Sequence, residues 1–221
     1  MQKIFFTSDL HFHHQNIMKF SPTFRAFSSV DEMNETLITY WNETVSSQDV
    51  VYNLGDLSFS PKFDKIISIL DRLNGEHHFI LGNHDPLIEE KRELLLTQKK
   101  ADGHPLLSSI QDYKRIKLSN GKMAMLFHYP IFEWQDCHKG AYMLHGHIHD
   151  RVAHVAGKIL NVGFDLHGKF LTEEDIEYYL SDLPKKNHFG GSENEYQTVS
   201  DLIQNQRDLK AYLHPSNRKL Y

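Results

Sequence analysis

Residues 3–14 read KIFFTSDLHFHH, a short apolar, β-prone run that stops at Asp9 and gives way to a polar, histidine-rich stretch. That pattern is a buried strand delivering a functional loop. Four other places repeat it: residues 49–56 (DVVYNLGD), 78–85 (HFILGNHD), 122–128 (KMAMLFH) and 141–149 (AYMLHGHIH). Between the first three lie two stretches with helical spacing. Residues 30–45 place Met33, Leu37, Ile38, Tyr40 and Trp41 on one face, with Ser28, Ser29 and Asp31 as candidate caps, and residues 63–73 end at an Asn74-Gly75 stop. Strands alternating with helices predict an α/β sheet whose strand ends carry the chemistry. The second half is richer in strand: Asn120-Gly121 separates two apolar runs as a hairpin turn, and residues 158–162 (KILNV) are a further strand.

Composition bounds the function. The chain has 221 residues, 40% hydrophobic and 24% charged, enough for a substantial core. No apolar stretch approaches the roughly 20 residues of a membrane span, and MQKIFFTSDL lacks the apolar centre of a signal peptide, so a cytoplasmic protein without membrane contact is expected. The single Cys137 cannot form an internal disulfide or a thiolate-rich zinc site, and is simplest as a small hydrophobe. A net charge of -5 argues against tracking along duplex nucleic acid. Residues 1–184 read as one domain and 185–221 as a polar extension of unknown role, with a short helix over 200–213. Histidine is the anomaly, at 16 residues against 24 Lys+Arg; imidazole is both the commonest metal ligand and a group that titrates near neutrality.

Loops at one edge of an open α/β sheet converge on a common crevice. Here they would bring together two carboxylates (Asp9, Asp56), one carboxamide (Asn83) and up to five imidazoles (His11, His84, His128, His147, His149), with no thiolate. Imidazole with anionic oxygen suits Mn, Fe, Zn, Co or Ni better than Ca or Mg. Seven ligands exceed the needs of one tetrahedral ion, whereas two ions can share a carboxylate. Paired metals about 3.5–4 Å apart stabilise both the attacking and the departing oxygen at phosphorus, and they make a hydroxide nucleophile available at neutral pH. Glycines 55, 82 and 146 each precede a ligand, where a backbone must turn sharply or approach closely.

In this order, Asp9-x-His11, Gly55-Asp56, Gly82-Asn83-His84-Asp85, His128 and Gly146-His147-x-His149 resemble the signature of the calcineurin-like metallophosphoesterases, over residues 1 to about 170. Residues 8–12 with Asn16-Ile17, and Ser29 to Trp41-Asn42, further resemble a subfamily of small bacterial and phage phosphoesterases. The resemblance implies a two-sheet β-sandwich flanked by helices, the four-layer fold of that superfamily. It implies one metal on Asp9, His11, Asp56 and His149 and a second on Asp56, Asn83, His128 and His147. Asp56 is then the bridge, each of its oxygens facing one cation. His84 would steady developing charge and protonate the leaving oxygen as a general acid.

The implied activity is hydrolysis of a phosphodiester, in preference to a monoester, by a hydroxide held on two divalent ions, Mn first among them. A small nucleotide-like substrate or the end of a short nucleic acid is favoured. Gly55-Asp56 continues Leu57-Ser58-Phe59-Ser60-Pro61, without the arginine that protein phosphatases of the superfamily carry, which weighs against that class. The alternative is a catalytically silent, metal-binding interaction module of the same fold. His13, His14, Asn16 and Arg25 are candidate substrate contacts, Arg25 through a phosphate oxygen, although the subfamily carries glycine at position 13. Asp85 is expected to orient a neighbouring group, His77 and His78 to lie at the surface and His145 to pack near the site; Asn161-Val162-Gly163 to Asp165 resembles the subfamily's ending, and a turn after the last strand explains it nearly as well.

Overall fold

A computed structural model describes residues 2–186 of the chain; the helix expected over 200–213, and all but the first residues of the proposed extension, lie outside them. Nine strands form two mixed sheets. In the first, β1 (Ile4–Thr7), β2 (Val50–Asn53), β3 (Glu76–Ile80) and β4 (Ser109–Gln111) run parallel, and β9 (Leu171–Thr172) closes the far edge antiparallel to β1, in the order β4-β3-β2-β1-β9. In the second, β5 (Tyr113–Lys117) and β6 (Met123–Phe127) make the expected hairpin, followed by β7 (Tyr142–His145) and β8 (Ile159–Asn161) in parallel.

Alternation along the strands builds the layers, because successive side chains point to opposite faces. On β1, Phe6 joins Leu54, Ile80, Leu126, Leu144 and Leu160 in the core between the sheets. Phe5, with Val51 of β2 and Phe79 of β3, faces the helical layer instead. The helix Val30–Thr44 starts where the Ser29 hydroxyl accepts the Glu32 N–H, and it buries Met33, Leu37, Ile38 and Trp41; the helix Phe63–Arg72 buries Ile66, Ile69 and Leu70. Truncating one of the large buried rings, such as Phe6, costs about 3–5 kcal/mol in a close-packed core of this kind. Among the described residues, Met125 and Met143 on the outer face of the second sheet pack against Trp134, Cys137 and Ala141, from a loop with a 3-10 turn at Cys137–Lys139. No helix among the described residues is long and apolar enough to cross a membrane.

The register positions the site. Thr7 pairs with Asn53, and Asn53 with Phe79, so three neighbouring parallel strands end at one level and hand off to residues 8–14, 54–60 and 81–85 side by side. Leu126 of β6 likewise aligns with Leu144 of β7, and Gly146 N–H donates to His128 O at 2.9 Å. A bridge between Ser8 and Gly163 ties the two sets of loops together at the top of the sandwich.

Candidate metal centre

The loops leave their strands through conformations L-residues avoid. Asp9, His11, Asp56, His147 and His149 all have φ between 51° and 68°, a strain of order 1–3 kcal/mol per residue that surrounding structure must hold in place. It is held by backbone clasps: Asp9 N–H to Gly55 O at 2.9 Å, His11 N–H to Asp56 O at 3.0 Å, and Phe12 N–H to Leu57 O at 2.9 Å. Asp85 serves the same end. Its carboxylate accepts from Asp56 N–H (2.7 Å), Gly82 N–H (2.8 Å) and Leu57 N–H (3.1 Å), locking two ligand loops to each other. Two glycines are steric necessities: a Cβ on Gly82 would strike the Asp56 carboxylate, and one on Gly146 would strike Ser8 Oγ and the Asp9 carboxylate.

All seven expected ligand positions meet. His11 Nε2 lies 4.0 Å from Asp9 Oδ1 and 3.7 Å from Asp56 Oδ2, and its ring stacks 5.1 Å from that of His149. His149 Nδ1–H donates to Asp165 Oδ2 at 2.8 Å, which leaves Nε2 as its free lone pair. On the other side, His128 Nδ1–H donates to Leu54 O at 2.7 Å, and its Nε2 lies 3.6 Å from Asp56 Oδ2 and 3.1 Å from Asn83 Oδ1. His147 Nδ1 lies 2.9 Å from the same Asn83 oxygen. Two triads of ligand atoms lie within 4.8 Å of one another, Asp9/His11/His149 and Asp9/Asp56/His128. Asp56 sits between the two histidines as expected, but through one oxygen: Oδ1 accepts the His84 N–H at 2.8 Å, and Oδ2 alone is near both rings.

The donor set fits divalent cations. Among the described residues, neither buried ring nitrogen of His11 has a hydrogen-bond partner, and an orphaned polar atom is costly there. At His128, burial opposed by Asp56 lowers the imidazole; with Nδ1 already donating, its Nε2 lone pair faces two acceptor oxygens, and a cation relieves that convergence. Burial, opposed by His149 and reinforced by Asp56, pushes the Asp9 carboxyl up to about 7, and burial followed by Asp56 pushes Asp85 up to about 7. These are carboxylates short of positive charge. Burial alone would lower His149, yet its bond to Asp165 and the charge of Asp9 raise it.

The remaining candidates separate. Arg25 is not a substrate contact: it is 0% exposed and its guanidinium donates to Asp165 Oδ1 (2.5 Å), Asp9 O (2.6 Å) and Leu10 O (2.8 Å). It therefore clamps the first ligand loop to the carboxylate that orients His149. Asp165, at the end of the Asn161-to-Asp165 stretch, is the hinge of this clamp; Asn161 supports it by donating to His149 O at 2.8 Å and Arg151 O at 2.9 Å.

His13, with φ of 65°, faces a different cavity beside Asn34, Lys65 and Arg72, on a left-handed backbone of the kind that favours glycine. His14 borders the cluster, 5.3 Å from His11 and stacked 4.0 Å from Phe59. Asn16 is exposed at the head of the short helix Ile17–Phe20, whose first turn closes on its carbonyl. His84 is exposed at the rim, its ring 5.6 Å from His11 and 4.8 Å from Phe59. His145 packs, its Nδ1–H donating to Gly146 O at 2.8 Å. Against expectation, His77 is buried, bonded through Nε2 to Asn74 O at 2.8 Å and packed on Trp41.

No protein-family model matches the chain. A stretch of 93 residues, 42% of the chain, is 50% identical to an uncharacterized protein of Methanocaldococcus jannaschii, and it spans 52% of that protein, about half its length. Over 201 residues the chain is 26% identical to the Gene 66 protein of Mycobacterium phage L5, covering 80% of the chain and 93% of the phage protein. A solved Aquifex aeolicus protein of unknown function superposes with a TM-score of 0.60 at 22% identity, over 80% of this chain and 99% of that one. At that identity the likeness speaks for the fold alone.

Proposed function

We propose that the protein is a phosphoesterase with a two-metal centre, acting on a phosphodiester in preference to a monoester, and related to the calcineurin-like metallophosphoesterases. The observation that carries the reading is the convergence of Asp9, His11, Asp56, Asn83, His128, His147 and His149 from five strand ends, with the ring nitrogens of His11 buried among them and without a hydrogen-bond partner among the described residues. Asp9, His11, Asp56 and His149 would hold one divalent cation, and Asp56, Asn83, His128 and His147 the other, manganese being the first choice. Bound there, the pair supplies a Lewis acid for the phosphoryl oxygens and an acidified water as nucleophile.

The chain's own contribution is positional and protic. Asp85 and Arg25 fix the loops, and the Asp165 and Leu54 oxygens fix the tautomers of His149 and His128. His84, anchored by its N–H on Asp56 with its ring free at the rim, gives its proton to the ester oxygen as the P–O bond breaks. The exposed Asn83 and the half-buried His147 leave the centre open on that side.

Purified protein incubated with manganese, freed of unbound ion and analysed for metal should carry two ions per chain and cleave bis-p-nitrophenyl phosphate faster than p-nitrophenyl phosphate. Two ions bound with neither ester cleaved would favour the silent interaction module. Failure to retain metal would end the reading.

A further inference from the structure

Beside His84 the surface opens into a cleft of about 370 Å³ whose walls are Phe59, Pro61, Ile66, Pro86 and Leu87. Among the described residues no aspartate, glutamate, lysine or arginine lines it, and its two serine hydroxyls are already engaged: Ser58 Oγ donates to Phe12 O, accepts from Ser60 N–H and lies 3.2 Å from His13 Nδ1, while Ser60 Oγ donates to Lys62 O and accepts from Lys62 N–H. The polar groups that remain, Asn83 and His84, stand on the side of the metal centre. Phe59 is 44% exposed although His14 stacks on it at 4.0 Å with the rings 13° from parallel, so the ring is braced and still presents surface. Its centroid lies 6.4 Å from that of His11 and 4.8 Å from that of His84, within the reach of one substituent on a phosphorus held at the cluster.

We infer that this cleft receives a neutral, flat ring, an aryl group or a nucleobase, carried by the ester whose phosphorus lies at the metal centre. A charged substituent would find no aspartate, glutamate, lysine or arginine among the described lining residues and would lose its hydration. An apolar ring gains from burial against Phe59, the prolines and Leu87. The volume lies at the low end of the roughly 300–1,000 Å³ of small-molecule sites, room for one ring system and not for a run of nucleotides.

The inference rests on the phosphoesterase reading, and the test separates the two. Calorimetric titration of the manganese-loaded protein with phenylphosphonate and with methylphosphonate, neither of which has an ester bond to cleave, compares a ring with a methyl group on the same anion. The phenyl compound should bind about tenfold more tightly, and the ratio should fall to about twofold or less in Phe59→Ala and in Leu87→Ser. Equal affinities in the wild type, or a preference that survives both substitutions, would overturn the assignment of the cleft and leave the phosphoesterase reading standing. If neither phosphonate binds, the phosphoesterase reading falls and the cleft assignment with it.

Discussion

The two halves of the cluster are built differently. On the His11 side every group is buried or propped: Asp9 and His11 are 0% and 2% exposed, His149 is oriented by Asp165, and Arg25 grips the loop carbonyls behind them. On the Asn83 side only His128 has such a prop, and the exposed Asn83 oxygen sits against the rings of both His128 and His147. The first half therefore has orphaned lone pairs in a rigid frame, while the second has ligands that partly satisfy one another. A cation entering the first half relieves a buried deficit. A cation entering the second must displace existing contacts, so we expect the first site to bind more tightly and the second to exchange faster with solvent.

Asp56 is shared, and removing it should erase the contrast. Asp56→Ala is expected to reduce bound manganese from two ions per chain to none and to abolish turnover, by metal analysis after desalting; one tightly held ion would show that the halves are independent. Loss of His84, which belongs to neither half, should lower turnover by about 10²–10⁴-fold, the usual worth of a positioned acid, with both metals retained; a His84→Ala variant with wild-type rates would remove it from the mechanism. Asp165→Asn should weaken the tight site alone by about 10–100-fold, as loss of a ligand's supporting partner does elsewhere, leaving the weak site in a two-site isotherm. Asn83→Ala should weaken only the second site.

The smallest effect lies outside the centre and separates metal chemistry from the fold's own pH response. Burial, and then Lys100, holds His77 down to about 3. Its folded pKa is below the unfolded one, so its contribution is fully present above the unfolded pKa of 6.5 and is lost as pH falls through 6.5 toward 3. Thermal melts of wild type and His77→Gln from pH 7 to 4 should show a shallower acid loss in the variant. Parallel slopes would assign the acid response to the histidines of the cluster.

What could be read in advance follows from where the physics is local. An apolar run meeting Asp, Asn or His within a residue or two is a strand end with a load, and five such junctions marked the seven positions that converge in the cluster. The helices Val30–Thr44 and Phe63–Arg72 were legible for the same reason, since their stripes are long. The three-residue strand β4, the two-residue strand β9 and the short helices Pro86–Glu90 and Arg92–Thr97 offer too few residues for a period to show.

Arg25 and Asp165 pair across 140 positions, and nothing local announces a partner at that range. Each does sit between apolar neighbours, in Phe24-Arg25-Ala26-Phe27 and Phe164-Asp165-Leu166, and a charge in such a setting is a sign of burial that sequence reasoning passed over. His77 could have been placed by alternation, because it shares a strand face with the buried Phe79.

The left-handed ligand positions carry a last consequence. At Asp9, His11, Asp56, His147 and His149 the backbone would be more comfortable as glycine. A chain drifting free of chemical duty would meet little conformational resistance to losing its acid and imidazole groups there, and losing them would relax the native state. On the proposed reading, an inert descendant lies downhill from this sequence, and a charged or coordinating side chain at all five positions is stability given up for the metal centre.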